Sequence, residues 1–142
     1  MQASDLANEW SLLQNQFDSY EKYSLLIKLS SIALVCATYF SDSLSTVAPF
    51  LLLILWLQDS IWKTFQSRID TRLLQLESYL SSGHQLENVN GKAYQFNSLY
   101  LQSRPSSAGL INEYFRQAIR PTIALPYVLL LLILAYELIF KG

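Results

Sequence analysis

Three ionisable residues lie within or at the edge of long apolar segments: Lys28, Asp59 and Glu137. A charge at the centre of a bilayer costs about 2.5 to 3.5 kcal/mol unless it pairs, reaches the interface or faces water. For Lys28 and Asp59 two interpretations are open. They form an interfacial salt bridge that fastens two helices, or a charged ring at the mouth of a pore built by several subunits. Glu137 lies about one turn from the outer end of its segment, where we expect its carboxylate to reach the interface.

Residue types that catalyse reactions or bind metals are sparse in this sequence. The one histidine, His84, has no second histidine or nearby cysteine with which to complete a metal site. None of the four glycines occurs in a phosphate-binding loop pattern. We therefore expect no enzymatic activity, no metal and no cofactor. The net charge of -1 argues against a nucleic-acid partner, which requires a strongly basic surface.

The apolar segments predict the architecture that positions these charges. Two of them fill most of residues 23–58, separated by SDSLST, and a third occupies residues 121–140. A helix of about 20 apolar residues crosses a hydrocarbon core of about 30 Å. We therefore predict an all-α membrane protein with three transmembrane helices, at about 23–41, 47–62 and 121–140.

The first two predicted helices continue beyond their apolar segments as amphipathic stripes. Apolar residues follow spacings of three and four on both extensions, which is the pattern of one helix face. We predict a long antiparallel hairpin over residues 4–82 that turns near residue 44 and extends into the cytoplasm as a coiled-coil stalk, formed by residues 4–22 and 63–82. The residues predicted to assemble this stalk are Trp10, Leu13, Phe17, Phe65, Ile69, Leu73, Leu76 and Leu80.

A turn near residue 44 also decides which stalk charges face each other. Two acids of the first helix, Asp18 and Glu21, then face the second helix. Their predicted partners there are Arg68 and Arg72. Exposed ion pairs contribute only about 0.2 to 1 kcal/mol, so these pairs select the register more than they stabilise it. The same register places the two charges of the first two apolar segments at one level.

The segment between the stalk and the third apolar segment divides into two parts. Residues 83–107 are polar and rich in turn-forming residues, so we predict a mostly irregular cytoplasmic loop. Residues 108–120 place apolar side chains on one helix face. They predict an amphipathic helix that lies along the inner membrane surface.

Basic residues predict the orientation. The turn between the first two apolar segments contains none, whereas the segment from Lys63 to Arg120 contains seven. By the positive-inside rule, the N-terminus and the central segment lie in the cytoplasm and the C-terminus lies outside the inner membrane.

The end of the second apolar segment resembles a pattern of small bacterial inner-membrane proteins. In LWLQDSIWKTFQSRIDTRLLQLESYL, the span ends in an aromatic residue, followed by an acid, Lys-x-x-Gln, spaced arginines and a glutamate. The matching residues are Trp56, Asp59, Lys63, Gln66, Arg68, Arg72 and Glu77. The architecture also resembles the SLATT-type membrane effectors of bacterial conflict and antiviral defence systems. This resemblance implies a hairpin with a cytoplasmic helix that permeabilises the membrane once a sensor signals.

Two functions are compatible with these features. The first is an oligomeric pore-forming or membrane-permeabilising effector that is gated through its cytoplasmic stalk. The apolar stripe near residues 73–80 is broader than one partner helix covers, so either the third segment or another copy of the chain packs there. The alternative is a non-catalytic scaffold or accessory subunit of a larger inner-membrane complex. The expected partners are the lipid bilayer, further copies of the chain and a cytoplasmic sensor or partner protein.

Overall fold

The computed structural model describes residues 2–82, 93–103 and 105–141, and in these ranges the chain forms five helices and no strand. The helices are α1 (Gln2–Thr38), α2 (Asp42–Ser81), α3 (Phe96–Ser103), α4 (Ser107–Ile119) and α5 (Pro121–Lys141). The prediction of an all-α protein is therefore confirmed for the described residues.

α1 and α2 form a long antiparallel hairpin whose turn lies earlier in the chain than predicted. α1 ends at Thr38, and residues 39–41 make the turn. Ser41 has an extended backbone, and Asp42 places an acid in the first turn of α2, where it complements the helix dipole. The prediction of a turn near residue 44 is wrong because serine and aspartate here begin a helix instead of forming a connection.

Two helices, α2 and α5, are long and apolar enough to cross a membrane, and α1 is not, so the prediction of three transmembrane helices is wrong. Because α1 ends at Thr38, an 18-residue window over its apolar part must include Glu21, Lys22 and Lys28. Residues 23–38 alone extend about 24 Å at 1.5 Å per residue, which is less than the hydrocarbon core of about 30 Å.

α5 packs between α1 and α2 at the turn end of the hairpin. We call residues 23–38 of α1, residues 42–62 of α2 and the whole of α5 the three-helix bundle. The three helices share one hydrophobic cluster, formed by Val35, Ala48, Leu52, Ile123, Tyr127, Leu130 and Leu134. Close packing of these side chains holds α5 against the hairpin.

The outer surface of the three-helix bundle is apolar. Large apolar side chains on all three helices are exposed: Leu25, Leu26, Leu29, Ile32, Val47, Phe50, Leu51, Leu53, Ile54, Leu57, Leu125, Val128, Leu129, Leu132, Ile133, Leu138, Ile139 and Phe140. We call this surface the apolar belt. Water-soluble monomers rarely expose a continuous apolar surface of this extent, whereas lipid covers it at no cost.

The stalk, residues 2–22 of α1 and 63–81 of α2, buries one apolar face between its two helices. Its core contains Leu6 in addition to predicted residues. Of the predicted stalk residues, Ile69, Leu73 and Leu76 are buried, Trp10, Leu13 and Phe17 are half-buried, and Phe65 and Leu80 are exposed. The predicted stalk is therefore present, with a core narrower than the predicted stripe.

Helix α3 lies in the segment that was predicted to be irregular, so the loop prediction is wrong for residues 96–103. Phe96, Leu99 and Tyr100 follow the i, i+3, i+4 spacing of a helix face, which the polar composition of the segment concealed. The remainder of the predicted loop, residues 83–92 and residue 104, lies outside the described residues.

Helix α4 occupies nearly the predicted range. The hydroxyl oxygen of Ser106 accepts a hydrogen bond from the backbone N–H of Gly109 at 3.4 Å and caps the helix. α4 packs along α2, and the indole Nε1 of Trp56 donates to the carbonyl oxygen of Ala118 at 3.1 Å. Arg120 separates α4 from α5, so these two helices follow each other with almost no linker.

Candidate functional site: polar clusters within the helix bundle

Asp59 lies where α1, α2 and α5 meet, and its side chain is fully buried. Ser24 of α1 donates a hydrogen bond to its Oδ1 at 2.5 Å, and Tyr127 of α5 donates to its Oδ2 at 2.9 Å. Lys28 Nζ lies 3.7 Å from Oδ2 and donates to the Ser24 hydroxyl at 3.2 Å. The predicted contact between Lys28 and Asp59 is present. We call these four residues the Asp59 cluster; through it one carboxylate connects all three helices.

Small polar residues of α1 allow the three helices to approach one another around Asp59. Ser24, Ser31 and Thr38 are seven residues apart and fully buried. Seven residues are about two helical turns, so the three side chains lie on one face. Small side chains allow neighbouring helices to approach closely in apolar surroundings. Neither these residues nor Tyr127 were predicted as site residues. The repeated spacing of hydroxyl side chains inside an apolar segment is the signal that indicates Ser24, Ser31 and Thr38.

Glu137 occupies a second polar cluster at the turn end of the bundle. Its side chain is buried. The Thr38 hydroxyl lies 2.9 Å from Oε2 and is also within hydrogen-bond distance of the carbonyl oxygen of Val35, so its one proton can go to either acceptor. Lys141 donates to Oε1 at 3.1 Å and covers the carboxylate from outside. The prediction that Glu137 reaches the interface is wrong because its carboxylate turns inward toward α1. Thr38, Glu137 and Lys141 form the Glu137 cluster.

The ion pairs of the stalk differ from the predicted set. Arg72 Nε lies 2.9 Å from Oε1 of Glu9, and both side chains are buried. Arg68 Nη2 lies 2.8 Å from Oε2 of Glu113, on α4. Asp18 accepts a hydrogen bond from Gln14 on its own helix and pairs with neither arginine. The predicted pairing is wrong because the earlier turn shifts α2 along α1 by roughly one helical turn.

Glu21 pairs with Lys63 instead of an arginine. Lys63 Nζ lies 2.5 Å from Oε2 of Glu21, and the Gln66 side-chain amide donates to the same oxygen at 2.8 Å. The hydrogen bond from the Lys63 ammonium and then that from Gln66 lower the pKa of the Glu21 carboxyl, against a smaller opposing effect of burial. The Glu21 side chain is 60% exposed, so solvent weakens this pair.

Glu9 of α1 and Arg68 of α2 also hold the segment that contains α3. The backbone N–H of Tyr94 donates at 2.6 Å to Oε2 of Glu9, the partner of Arg72. Tyr94 has a φ of 61°, a left-handed conformation that disfavours residues with a side chain, so this bond holds the chain in an unfavourable geometry. Arg68 donates to the Tyr100 hydroxyl at 3.1 Å, and its guanidinium lies 4.7 Å from the centre of that ring.

Two polar cavities adjoin each other where the stalk meets the bundle. The first, about 400 Å³, lies between α1, α2 and the start of α5 and extends to Lys28. The second, about 500 Å³, lies between α2 and α4. Both are lined by Ser67, Asp70 and Arg120, so they lie side by side, and we call the two together the polar groove.

The described residues offer little for catalysis or metal binding. No three His, Cys, Asp or Glu side chains within them are grouped so that they could hold a metal ion, and His84 lies outside them. The buried carboxylates are instead hydrogen-bonded across helices, which joins the helices to one another. No protein-family model, curated protein or solved structure matches the chain. The polar clusters and the polar groove are therefore the features on which a functional assignment rests.

Proposed function

We propose that this protein is a non-catalytic integral membrane subunit whose bundle anchors a platform of cytoplasmic helices, made of the stalk, α3 and α4. The observation that carries this proposal is the burial of Asp59, which is 0% exposed and accepts hydrogen bonds from both neighbouring helices. A carboxylate in such a position holds helices together, since it does not face water. The bundle then serves as a rigid base for the platform.

The apolar belt supports a membrane location for this base. α2 and α5 are the candidate spans, and the apolar residues of α1 pack beside them within the same belt. α4 carries exposed Ile111, Phe115 and Ile119, which suit a helix partly sunk into the membrane interface. The excess of basic residues between Lys63 and Arg120 favours a cytoplasmic location for the stalk end, with the turn and the C-terminus outside the inner membrane.

The exposed leucines of the platform suggest what it binds. Leu12 and Leu74 of the stalk are 63% and 60% exposed, and Leu101 of α3 is 67% exposed. Exposed apolar side chains that form one continuous patch mark contact surfaces, and we propose that these leucines belong to such a patch. We propose that further copies of the chain assemble through them, or that a cytoplasmic partner protein binds there.

The mass of the purified particle tests this proposal. The full chain, extracted in mild detergent, is expected to give one oligomer mass or a hetero-complex of fixed stoichiometry. The double variant Leu12→Glu/Leu74→Glu should return it to the monomer, because the introduced charges oppose an apolar contact. Ala7→Glu, at an exposed position on a different face of the same helix, is the matched control and should keep the wild-type mass. A wild-type monomer that recruits no defined partner would contradict the proposal.

A pore-forming or membrane-permeabilising effector is the second candidate, and one observation favours it. The polar groove extends to Lys28, whose side chain is 23% exposed and contacts the buried Asp59, so the groove could admit water as far as the Asp59 cluster. Conduction would require the cluster to separate, since Val35, Leu52 and Leu134 fill the bundle beyond it. The resemblance to SLATT-type effectors points the same way.

Ion flux from vesicles containing the reconstituted protein separates the two candidates. An effector should release ions when triggered or when Asp59→Ala loosens the cluster, and Lys28→Met should alter that release. An anchor should leave the vesicles sealed in every variant. Flux from the wild-type chain would therefore favour the effector over the scaffold.

A further inference from the structure

We propose that the polar groove binds a phosphodiester headgroup that carries a primary amine, as in an ethanolamine phospholipid. This inference rests on the proposed membrane location of the bundle. The groove lies between the stalk and the bundle, beside the start of α5. In the proposed membrane location, this is the level of the lipid headgroups. Basic pockets between helices on the cytoplasmic side of a membrane are typical lipid headgroup sites.

Two arginines supply the phosphate-binding part of the groove. Arg116 lies in the last turn of α4 and Arg120 directly follows that helix, and both line the cavity between α2 and α4. Arg120 donates to the side-chain oxygen of Gln117 at 3.1 Å, which orients its guanidinium. Neither arginine forms an ion pair with any residue that the structure describes. A guanidinium binds phosphate oxygens through paired hydrogen bonds.

Asp70 supplies the amine-binding part. It lines both cavities, and within the described ranges it has no ion-pair partner. The other two acids that line the groove are already paired, Glu21 with Lys63 and Glu113 with Arg68. Two guanidinium groups and one carboxylate of the groove therefore remain without an ion-pair partner among the described residues.

The chemical complement of these groups is one phosphate and one ammonium close together. A phosphodiester with a primary amine carries both, and its ammonium can donate hydrogen bonds to Asp70. A choline headgroup keeps the phosphate but has no N–H to donate, and a glycerol headgroup has no cation at all. The groove should therefore favour ethanolamine over both.

The neighbouring apolar surface favours a lipid over a soluble ligand. Thr122 of α5 lines the groove, and Leu125, three residues further along the same helix face, is an exposed residue of the apolar belt, so the polar site adjoins apolar helix surface. The acyl chains of a lipid could stay against the apolar belt while its headgroup enters the groove. Free phosphoethanolamine would have the same polar contacts without this apolar contribution.

Lipid retention measured by native mass spectrometry tests the inference. The full chain is reconstituted in nanodiscs with equal amounts of ethanolamine, glycerol and choline phospholipids, then released, and bound lipids are counted. We expect ethanolamine lipid to be enriched about three- to tenfold, as one or two partly exposed charged hydrogen bonds allow. Arg116→Gln/Arg120→Gln should reduce retention of all phospholipids. Asp70→Asn should remove the preference for ethanolamine while total retention stays near that of the wild type.

Matched variants outside the groove control for charge alone. Lys22→Gln and Asp18→Asn make similar charge changes at exposed positions of α1 and should leave the lipid profile unchanged. Equal retention of the three lipids by the wild type, or an unchanged profile in both groove variants, would overturn the inference. Displacement of the lipid by free phosphoethanolamine at equal concentration would keep the headgroup chemistry and assign the site to a soluble ligand.

Membrane fractionation keeps this outcome separate from that of the proposed function. If the chain resists carbonate extraction but shows no lipid preference, the headgroup site is wrong and the membrane anchor stands. If the chain is found in the soluble fraction, the anchor is wrong. The headgroup chemistry can then still be tested with free phosphoethanolamine by ³¹P NMR.

Discussion

The stalk and the three-helix bundle hold the same two helices together in opposite ways. In the stalk, leucine and isoleucine side chains form the core, charged residues face solvent, and one ion pair, Glu9–Arg72, is buried beside the core. In the bundle, the outer surface is apolar, and hydroxyl and carboxylate groups lie between the helices. The proposed membrane location accounts for the difference. Water around the stalk favours the burial of leucine, whereas lipid around the bundle would offer leucine the same environment outside as inside.

The largest effect is expected where a charge is buried in the stalk. Arg72→Met leaves the Glu9 carboxylate buried without its cation and should lower the free energy of unfolding by about 3 to 5 kcal/mol. Chemical unfolding in detergent, followed by circular dichroism, measures this loss. The double variant Glu9→Leu/Arg72→Met should recover most of it, because no buried charge remains. If Arg72→Met is as stable as the wild type, solvent reaches the Glu9–Arg72 pair.

The Asp59 cluster should be the next most sensitive site. Asp59→Ala leaves the buried hydroxyls of Ser24 and Tyr127 without their shared acceptor, and we expect a loss of about 1 to 3 kcal/mol. Asp59→Asn keeps an acceptor oxygen and should lose less. Thermal unfolding of the reconstituted protein measures both, and Asp18→Ala, on the exposed stalk surface, is the control. If Asp59→Ala and Asp18→Ala melt alike, hydrogen bonds do not hold the bundle together.

A smaller effect is expected at the turn end of the bundle. Thr38→Val removes the hydroxyl beside Glu137 at nearly constant volume, and single hydrogen bonds between membrane helices contribute about 0.6 to 1.7 kcal/mol. The same thermal assay should detect this change. Ser30→Ala, whose hydroxyl bonds only to its own helix, should melt as the wild type does. Equal effects of the two variants would show that contact between α1 and α5 depends on packing alone.

The smallest effect is expected at the exposed Glu21–Lys63 pair, and it should depend on pH. The pKa of Glu21 is lowered in the folded state, so its contribution is complete above the ordinary value of 4.5 and is lost as the pH falls through the lower folded-state value. Glu21→Gln should cost about 0.2 to 1 kcal/mol at pH 7. The difference from the wild type should vanish in acid. Parallel unfolding curves at a series of pH values from 7 downward measure this, and a difference that does not shrink as the pH falls would assign it to packing.

Patterns of local spacing predicted the helices well and the connections poorly. Apolar residues at spacings of three and four located the stalk and α4, because this spacing follows from the period of a single helix. The turn was placed a few residues too late because serine and aspartate both begin helices and form loops. Because of that error, the ion pairs predicted for Arg68 and Arg72 are wrong. It left the contact between Lys28 and Asp59 intact, because a lysine side chain is long enough to tolerate a shift of about one turn.

The sequence by itself determined that the chain is helical, where its long apolar segments lie, and which helix faces are apolar, since these properties depend on residues a few positions apart. Only the tertiary structure decided the partner of each buried polar group. Tyr127 reaches Asp59 across 68 positions, and Thr38 reaches Glu137 across 99. Such pairs depend on the register of the hairpin and the place of α5 against it. Both are decided by the packing of whole helices. Many weak contacts contribute to that packing, and no single local sequence pattern determines it.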